Sequence, residues 1–226
     1  MRTIAVIPAL NEEKSIGSVI EKARLFVDEI IVIDDGSADG TAEAAKRAGA
    51  LALRHALNRG QGAALKTGTE AALLRGAEII VHLDADGQHD PSFIPSLIEP
   101  LARGEADVVL GSRFMGLKPV GMPLKRRVLQ RCIRWFNLFM LGIPRQLTDP
   151  QSGLRALSAK AACSLDFKQD RYAHCSELLR LITRSDLRWK EIPIEVRYTQ
   201  ESLAKGQKNL DAVKVAWQLF LGVFHK

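Results

Sequence analysis

Cysteine is scarce in this chain of 226 residues. The three present, Cys132, Cys163 and Cys175, form no CxxC pair and are odd in number. That leaves no basis for a disulfide framework or a structural zinc site, and it fits a reducing compartment. Long apolar runs are missing too. A bilayer-spanning helix needs roughly 18 or more consecutive apolar residues. The longest greasy stretch here, 133–143, is interrupted by Arg134 and Asn137. The opening MRTIAVIPALNEE reaches acidic residues too early for a secretory signal. Aromatics make up only 6% of the chain and no familiar DNA or RNA motif is present. A nucleic-acid-binding module is therefore disfavoured, although the net charge is +6 and asks for an anionic partner of some kind.

One absence is local. No acidic residue lies between Asp107 and Asp149, a stretch that holds eight Lys and Arg. The rest of the chain therefore sums to −2, so the excess charge belongs to one segment.

With 46% hydrophobic and 26% charged residues, the composition is that of a soluble globular protein, and one domain over 1–226 is expected. The first 112 residues alternate short β-branched runs with helical patterns. Strands are predicted over 3–7, 30–33, 51–53, 79–83 and 108–110. Between them lie helices 41–48, 62–74 and about 91–101, the last opened by Asp90-Pro91. Asn11 is expected to cap a first helix whose apolar stripe runs 16, 19, 20, 23, 26 and 27. The second half, 113–226, is less regular. It predicts a Pro/Gly loop over 118–123, helices over 125–141 and 173–183, and a strand at 154–157. An extended stretch over 187–198 is broken by Pro193, and a final helix has apolar positions 210, 213, 217, 220 and 224.

Strands without polar interruption, alternating with helices, imply an α/β fold with a mostly parallel sheet covered on both faces. Such sheets bind ligands beyond the carboxyl ends of their strands. Asp84 and Asp86 stand there, one residue apart after 79–83. Two carboxylates so placed suit a hard divalent cation, Mg²⁺ or Mn²⁺, which leaves coordination sites for phosphate oxygens. Gln88 adds a neutral oxygen; His89 ranks below it, because imidazole prefers softer metals. Asp34-Asp35-Gly36-Ser37 offers a carboxylate for a ribose or base, or a plain Asp/Gly turn. Asn58-Arg59-Gly60-Gln61-Gly62 opens a helix but is no GxxxxGK[ST] phosphate loop, so a helix start suffices to explain it. His82, inside a strand, reads as a core histidine. The cysteines read as small core residues.

The segments IPALNEE, IVIDDGSADGT, NRGQGAALKTG, HLDADGQHDP and VLGSR, in that order, resemble the inverting glycosyltransferases of family 2. Within that family the chain is most similar to polyprenyl-phosphate mannose and glucose synthases of the dolichyl-phosphate mannose synthase type. The likeness continues through TDPQSGLR and the 191–198 strand. It implies a Rossmann-like nucleotide-diphospho-sugar transferase (GT-A) fold. It implies a hexose moved from a nucleotide-sugar to a polyprenyl phosphate. Pro8, Leu10, Glu12, Ile33 and Asp35 would line the nucleoside site, although Leu10 replaces the aromatic residue frequent there. Asp84, Ala85 and Asp86 would meet the donor, with Asp84, Asp86 and Gln88 on the cation. Arg113 would contact phosphate or sugar, and with Asp86 it forms the implied catalytic pair. Arg197 and Lys205 would close over the phosphates.

A hydroxyl acceptor would need a general base, whereas a phosphate acceptor is already an anion. Glu177 and Asp149 are the base candidates for a saccharide or protein hydroxyl. Glu177 also reads as an ordinary helix acid, and Asp149 as support for a turn or a basic residue. A nucleotidyltransferase is the other enzyme considered, but IPALNEE is not its Gly-rich, basic N-terminal loop.

In the basic segment, Arg127, Arg131 and Arg134 share one face of the 125–141 helix, while 128, 129, 132, 133, 136, 139, 140 and 143 form an apolar face. That pattern fits an interfacial amphipathic helix, at about 1 kcal/mol per basic residue near anionic lipid. A core helix with solvated arginines is the alternative, and a dimer interface a further one. On the first reading Lys125, Arg126, Arg127, Arg131 and Arg134 face the polyprenyl phosphate and an anionic membrane surface. The enzyme is then expected on the cytoplasmic face of a membrane, peripherally bound.

Overall fold

A computed structural model of the protein describes residues 1–116, 128, 134, 135, 138, 142–171 and 173–197. Among these residues seven strands form one sheet: β1 (Thr3–Ala9), β2 (Glu29–Asp34), β3 (Leu51–Arg54), β4 (Ile79–His82), β5 (Val108–Ser112), β6 (Arg155–Ser158) and β7 (Trp189–Pro193). Their order is β3-β2-β1-β4-β6-β5-β7. β6 runs antiparallel to both β4 and β5, and every other pairing is parallel. The helices are α1 (Ile16–Ala23), α2 (Thr41–Arg47), α3 (Gln61–Leu74), α4 (Ile94–Ala102), α5 (Ala159–Ser164) and α6 (His174–Arg184).

All seven residues of β1 are buried, because both faces of the sheet are covered. Alternate side chains feed two separate cores. Ala5, Ile7 and Ala9 pack with α1 and α4; Ile4 and Val6 pack with α3 and α6. α3 lies so close to the sheet that a Cβ on Gly68 would overlap Val6, with Ile33 just beyond. His82 is the expected core histidine. It is 1% exposed, and its Nε2 lies 2.9 Å from the Thr69 hydroxyl. Burial, reinforced by the Arg155 charge, holds it well below the usual imidazole value, so it is neutral.

Several expectations change. The first helix begins at Ile16, not after Asn11. Asn11 has φ 55°, donates its N–H to Ser37 Oγ at 2.9 Å, and accepts the Ala38 N–H at 2.9 Å. Its side chain ties two strand-end loops together and so cannot cap α1. Phe26 and Val27 pack on the core beyond the helix end. The 187–198 stretch is only partly strand. β7 is an edge strand ending at Pro193, after which Val196 makes one bridge to His89. α5, not anticipated, follows β6 directly, and the Ser158 side chain accepts the Ala161 N–H at its start. The loop 118–123 and the helix 210–224 lie outside the described residues. So do Lys125, Arg126, Arg127, Arg131 and Lys205. Within 125–141, Val128, Arg134, Trp135 and Leu138 are described and helical, and Trp135 is exposed.

Candidate active site at the carboxyl ends of the strands

β1, β2 and β4 run parallel and end side by side, so the loops after Ala9, Asp34 and His82 converge. β6 runs the other way. The turn that leads into it, 149–154, therefore arrives at the same edge of the sheet. The Arg197 N–H donates to the Gln88 carbonyl at 3.0 Å, which fastens the segment after β7 to the 84–90 loop.

Asp84 is held on three sides. Gln61 Nε2, at the start of α3, donates to its Oδ1 at 2.9 Å, and His89 Nε2 lies 3.3 Å from its Oδ2. The third side is Gly153, where a Cβ would fall inside the Asp84 carboxylate. Burial works to raise its proton affinity. The His89 hydrogen bond and the Arg155 charge outweigh it, so the carboxyl sits below its ordinary value. Asp86 behaves oppositely. It accepts the Gln88 N–H at 3.0 Å, and burial together with the negative charge of Asp84 pushes it up to about 6. The Glu12 charge adds to that.

A pair of crowded carboxylates with a buried Gln88 beside them fits a hard cation. Among the described residues no three His, Cys, Asp or Glu side chains form a preformed metal cage.

Asp35 is 3% exposed and holds the loop before α3: its carboxylate accepts the N–H groups of Arg59 (3.0 Å) and Gly60 (2.7 Å), and His55 Nδ1 lies 2.7 Å away. Glu12 is 9% exposed at the end of β1, with its N–H on Thr41 Oγ1 at 2.8 Å. Leu10 is exposed at the rim and Pro8 is buried in β1. Two expected lining residues are corrected. Ile33 and Ala85 have their side chains inside the core, so neither presents side-chain surface to a ligand. The glycines at 60 and 62 also have a packing reason. Cβ atoms there would overlap the carbonyl oxygens of Asp170 and Gln169, and the Ala63 N–H donates to Asp170 O.

Arg113, at the end of β5, is buried and forked onto Asp149: Nε to Oδ2 at 2.6 Å and Nη2 to Oδ1 at 2.6 Å. Asp149 is thus the partner of a basic residue, one of the two roles expected for it. Glu177 accepts the N–H groups of Lys168 (2.9 Å) and Gln169 (2.8 Å) on one oxygen. Arg197 stands beside the 84–90 loop with its Nε on Glu195 at 2.6 Å.

Three contributors escape sequence reasoning. Gln61 lies 23 residues from the Asp84 it anchors. Glu191 accepts the N–H groups of Thr148 and Asp149 at 2.8 and 3.0 Å, which sets the loop that carries Asp149. Gly153 reads as a simple turn residue. All three lie in segments that carry the resemblance, Gln61 in NRGQG, Gly153 in TDPQSGLR and Glu191 at the start of the 191–198 stretch, but no local pattern there assigns their contacts. The fork on Asp149 also makes a prediction. Arg113→Lys keeps the charge but loses the paired geometry, and is expected to lower turnover about tenfold or more in a protein with unchanged circular dichroism.

The model of the family described as glycosyl transferase family 2 matches residues 4–162. A Methanococcus voltae UDP-N-acetylglucosamine–dolichyl-phosphate N-acetylglucosaminyltransferase is 35% identical, covering 96% of this chain and 94% of its own. An undecaprenyl-phosphate mannosyltransferase of Micrococcus luteus is 36% identical over 74% of this chain and 70% of its own. Among solved structures, glucosyl-3-phosphoglycerate synthase of Mycobacterium tuberculosis, in complex with Mn²⁺, UDP and glucosyl-3-phosphoglycerate, superposes with a TM-score of 0.76. It is 26% identical and covers 97% of this chain and 77% of its own.

Proposed function

The chain belongs to glycosyl transferase family 2 and has the GT-A fold, and on that premise we propose that it moves a hexose from a nucleotide-diphospho-sugar to a polyprenyl phosphate, with inversion. The observation that carries the choice of acceptor is the occupancy of both candidate bases. Asp149 is forked onto Arg113, and Glu177 caps the backbone at 168–169. A hydroxyl acceptor needs one of them to take its proton; a phosphate monoester arrives as an anion and needs neither. Two of the relatives carry lipid-phosphate acceptors in their names, which supports the same reading.

The chemistry follows from charge. The acceptor oxygen attacks the anomeric carbon, the sugar–diphosphate bond breaks, and a highly charged nucleoside diphosphate leaves. Asp84, Asp86 and Gln88 would hold a divalent cation, which when bound supplies charge neutralisation to that leaving group. Glu12 and Asp35 stand at the ends of β1 and β2, where the nucleoside would lie. Arg113, fixed by Asp149, is pre-aimed and needs no reorganisation to stabilise developing negative charge. Arg197 closes the phosphate side from the segment after β7. Lys125, Arg126, Arg127, Arg131 and Arg134 are assigned to the acceptor headgroup and to an anionic, cytoplasmic membrane face. Lys205 is assigned to the diphosphate.

The test uses the full chain with Mg²⁺ or Mn²⁺, undecaprenyl or dolichyl phosphate, and radiolabelled UDP- and GDP-sugars. Label entering the organic phase with one donor is the expected result. No lipid-borne label with any donor overturns the lipid acceptor. Glu177→Gln separates the two acceptor classes. It keeps an oxygen for the Lys168 and Gln169 N–H groups, so activity within about threefold of the parent is expected. A base would lose on the order of 10²–10⁴.

A further inference from the structure

Asp35 enters the site with most of its hydrogen-bonding capacity already used. Its backbone N–H donates to the Ala9 carbonyl at 2.9 Å, which fixes the residue where β1 and β2 end side by side. An ionised carboxylate offers about four acceptor positions, two on each oxygen. Oδ1 takes the Arg59 N–H at 3.0 Å and faces His55 Nδ1 at 2.7 Å. Oδ2 takes the Gly60 N–H at 2.7 Å. Among the described residues no other donor reaches either oxygen. Oδ1 is therefore full, and one position remains, on Oδ2.

His55 completes the filling of Oδ1. It follows β3, its N–H donates to the Asp34 carbonyl at 2.9 Å, and its side chain is 11% exposed. A carboxylate can only accept, so Nδ1 carries a proton. Nε2 lies 3.0 Å from the Thr67 hydroxyl on α3, which can donate to a neutral ring or accept from a charged one. The Nδ1–H bond to Asp35 thus holds in either charge state.

We propose that His55 is a specificity-determining residue, which restricts the donor to nucleotides whose base presents a single N–H, the imide of uracil or thymine. This rests on the reading that a nucleotide-sugar binds at Asp35. Guanine presents two parallel donors, N1–H and the 2-amino group, and a carboxylate satisfies both only with both oxygens. With Oδ1 full, one of the two would be desolvated and unpaired, which weakens the complex. The vicinal hydroxyls of a ribose would likewise ask for both oxygens. An imide makes one bond, to Oδ2, and leaves no donor over. Leu10, exposed at the rim, offers no aromatic face on which a larger base could recover the loss.

The test is calorimetry on the full chain with Mn²⁺ and, in turn, UDP, dTDP, GDP and inosine diphosphate. Inosine diphosphate is a purine nucleotide without the 2-amino group, so it separates the number of donors from the size of the base. UDP or dTDP is expected to bind about tenfold or more tighter than GDP, and inosine diphosphate at least about threefold tighter than GDP. GDP as tight as both pyrimidine nucleotides, or inosine diphosphate no tighter than GDP, overturns the proposal. His55→Ala frees Oδ1 and is expected to bring the UDP and GDP affinities at least about threefold closer. His55→Asn, whose Nδ2 can stand in for Nδ1, is expected to keep the parent's ratio. An unchanged ratio in folded His55→Ala, or loss of all binding there, also overturns the proposal. If that variant does not fold, the comparison of inosine diphosphate with GDP decides alone. Binding is read without a lipid acceptor. If no nucleotide binds, the donor reading falls and takes the inference with it; if nucleotides bind without preference, only the inference falls.

Discussion

Asp86→Asn is expected to melt several degrees higher than the parent in metal-free buffer at pH 7.5, while losing about 10²–10³ of its transfer rate. Both effects come from one cause. Burial and the neighbouring Asp84 charge raise the Asp86 carboxyl to about 6, whereas an unfolded chain holds it near the ordinary aspartate value of 3.8. A carboxyl raised on folding favours the folded state only when protonated. Its contribution is fully present below about pH 3.8 and is lost as pH rises through about 6. At neutral pH the ionised Asp86 therefore costs the apo protein on the order of 3 kcal/mol, which the amide removes. For a domain of this size that corresponds to several degrees. The gain in melting temperature should shrink steadily between pH 6.5 and 4. Added Mn²⁺ should stabilise the parent but not the variant, because only the parent keeps the anionic oxygen for it. A variant that melts lower than the parent at pH 7.5, or that is still stabilised by Mn²⁺ to the parent's extent, sinks the assignment of Asp86 to the cation.

The second large effect is expected at Gly153→Ala. The new methyl would overlap the Asp84 carboxylate, which Gln61 and His89 already hold from other sides. Something must shift, and overpacking of this kind costs typically 1–3 kcal/mol. The displaced group is a site residue, so activity should fall at least about 100-fold. A double substitution separates the two consequences. Asp84→Gly with Gly153→Ala removes the clash, so the melting temperature should recover by more than additivity allows, while activity stays absent. If Gly153→Ala alone melts and turns over like the parent, the close approach of 153 to Asp84 is wrong.

Much of the candidate site could be picked out from the chain alone. Asp84 and Asp86 stand out because they end an apolar strand, and a covered parallel sheet sends such residues to the ligand edge. Arg113 follows a strand for the same reason. Asn11 shows the limit of local reading. It has the chemistry of a helix cap, yet its side chain serves Ala38, 27 residues away, and α1 starts later without it. Ile33 and Ala85 show another limit. Both flank site carboxylates in sequence, but strand alternation and the turn after β4 aim them into the core.

What the sequence by itself determined is the alternation of covered strands and helices, the edge where polar residues gather, the family, and the concentration of positive charge in 108–148. These depend on local spacing and composition, which survive without knowing any partner. Tertiary structure alone decided how those residues are used. Asp149 pairs with Arg113, Gln61 and Gly153 hold Asp84, and Glu177 caps a loop. Proton affinities diverge between two carboxylates that look alike in the chain, one lowered by His89 and Arg155 and the other raised by burial and by its neighbour. Such choices depend on distance and desolvation between groups up to about 70 residues apart, and no periodicity encodes them.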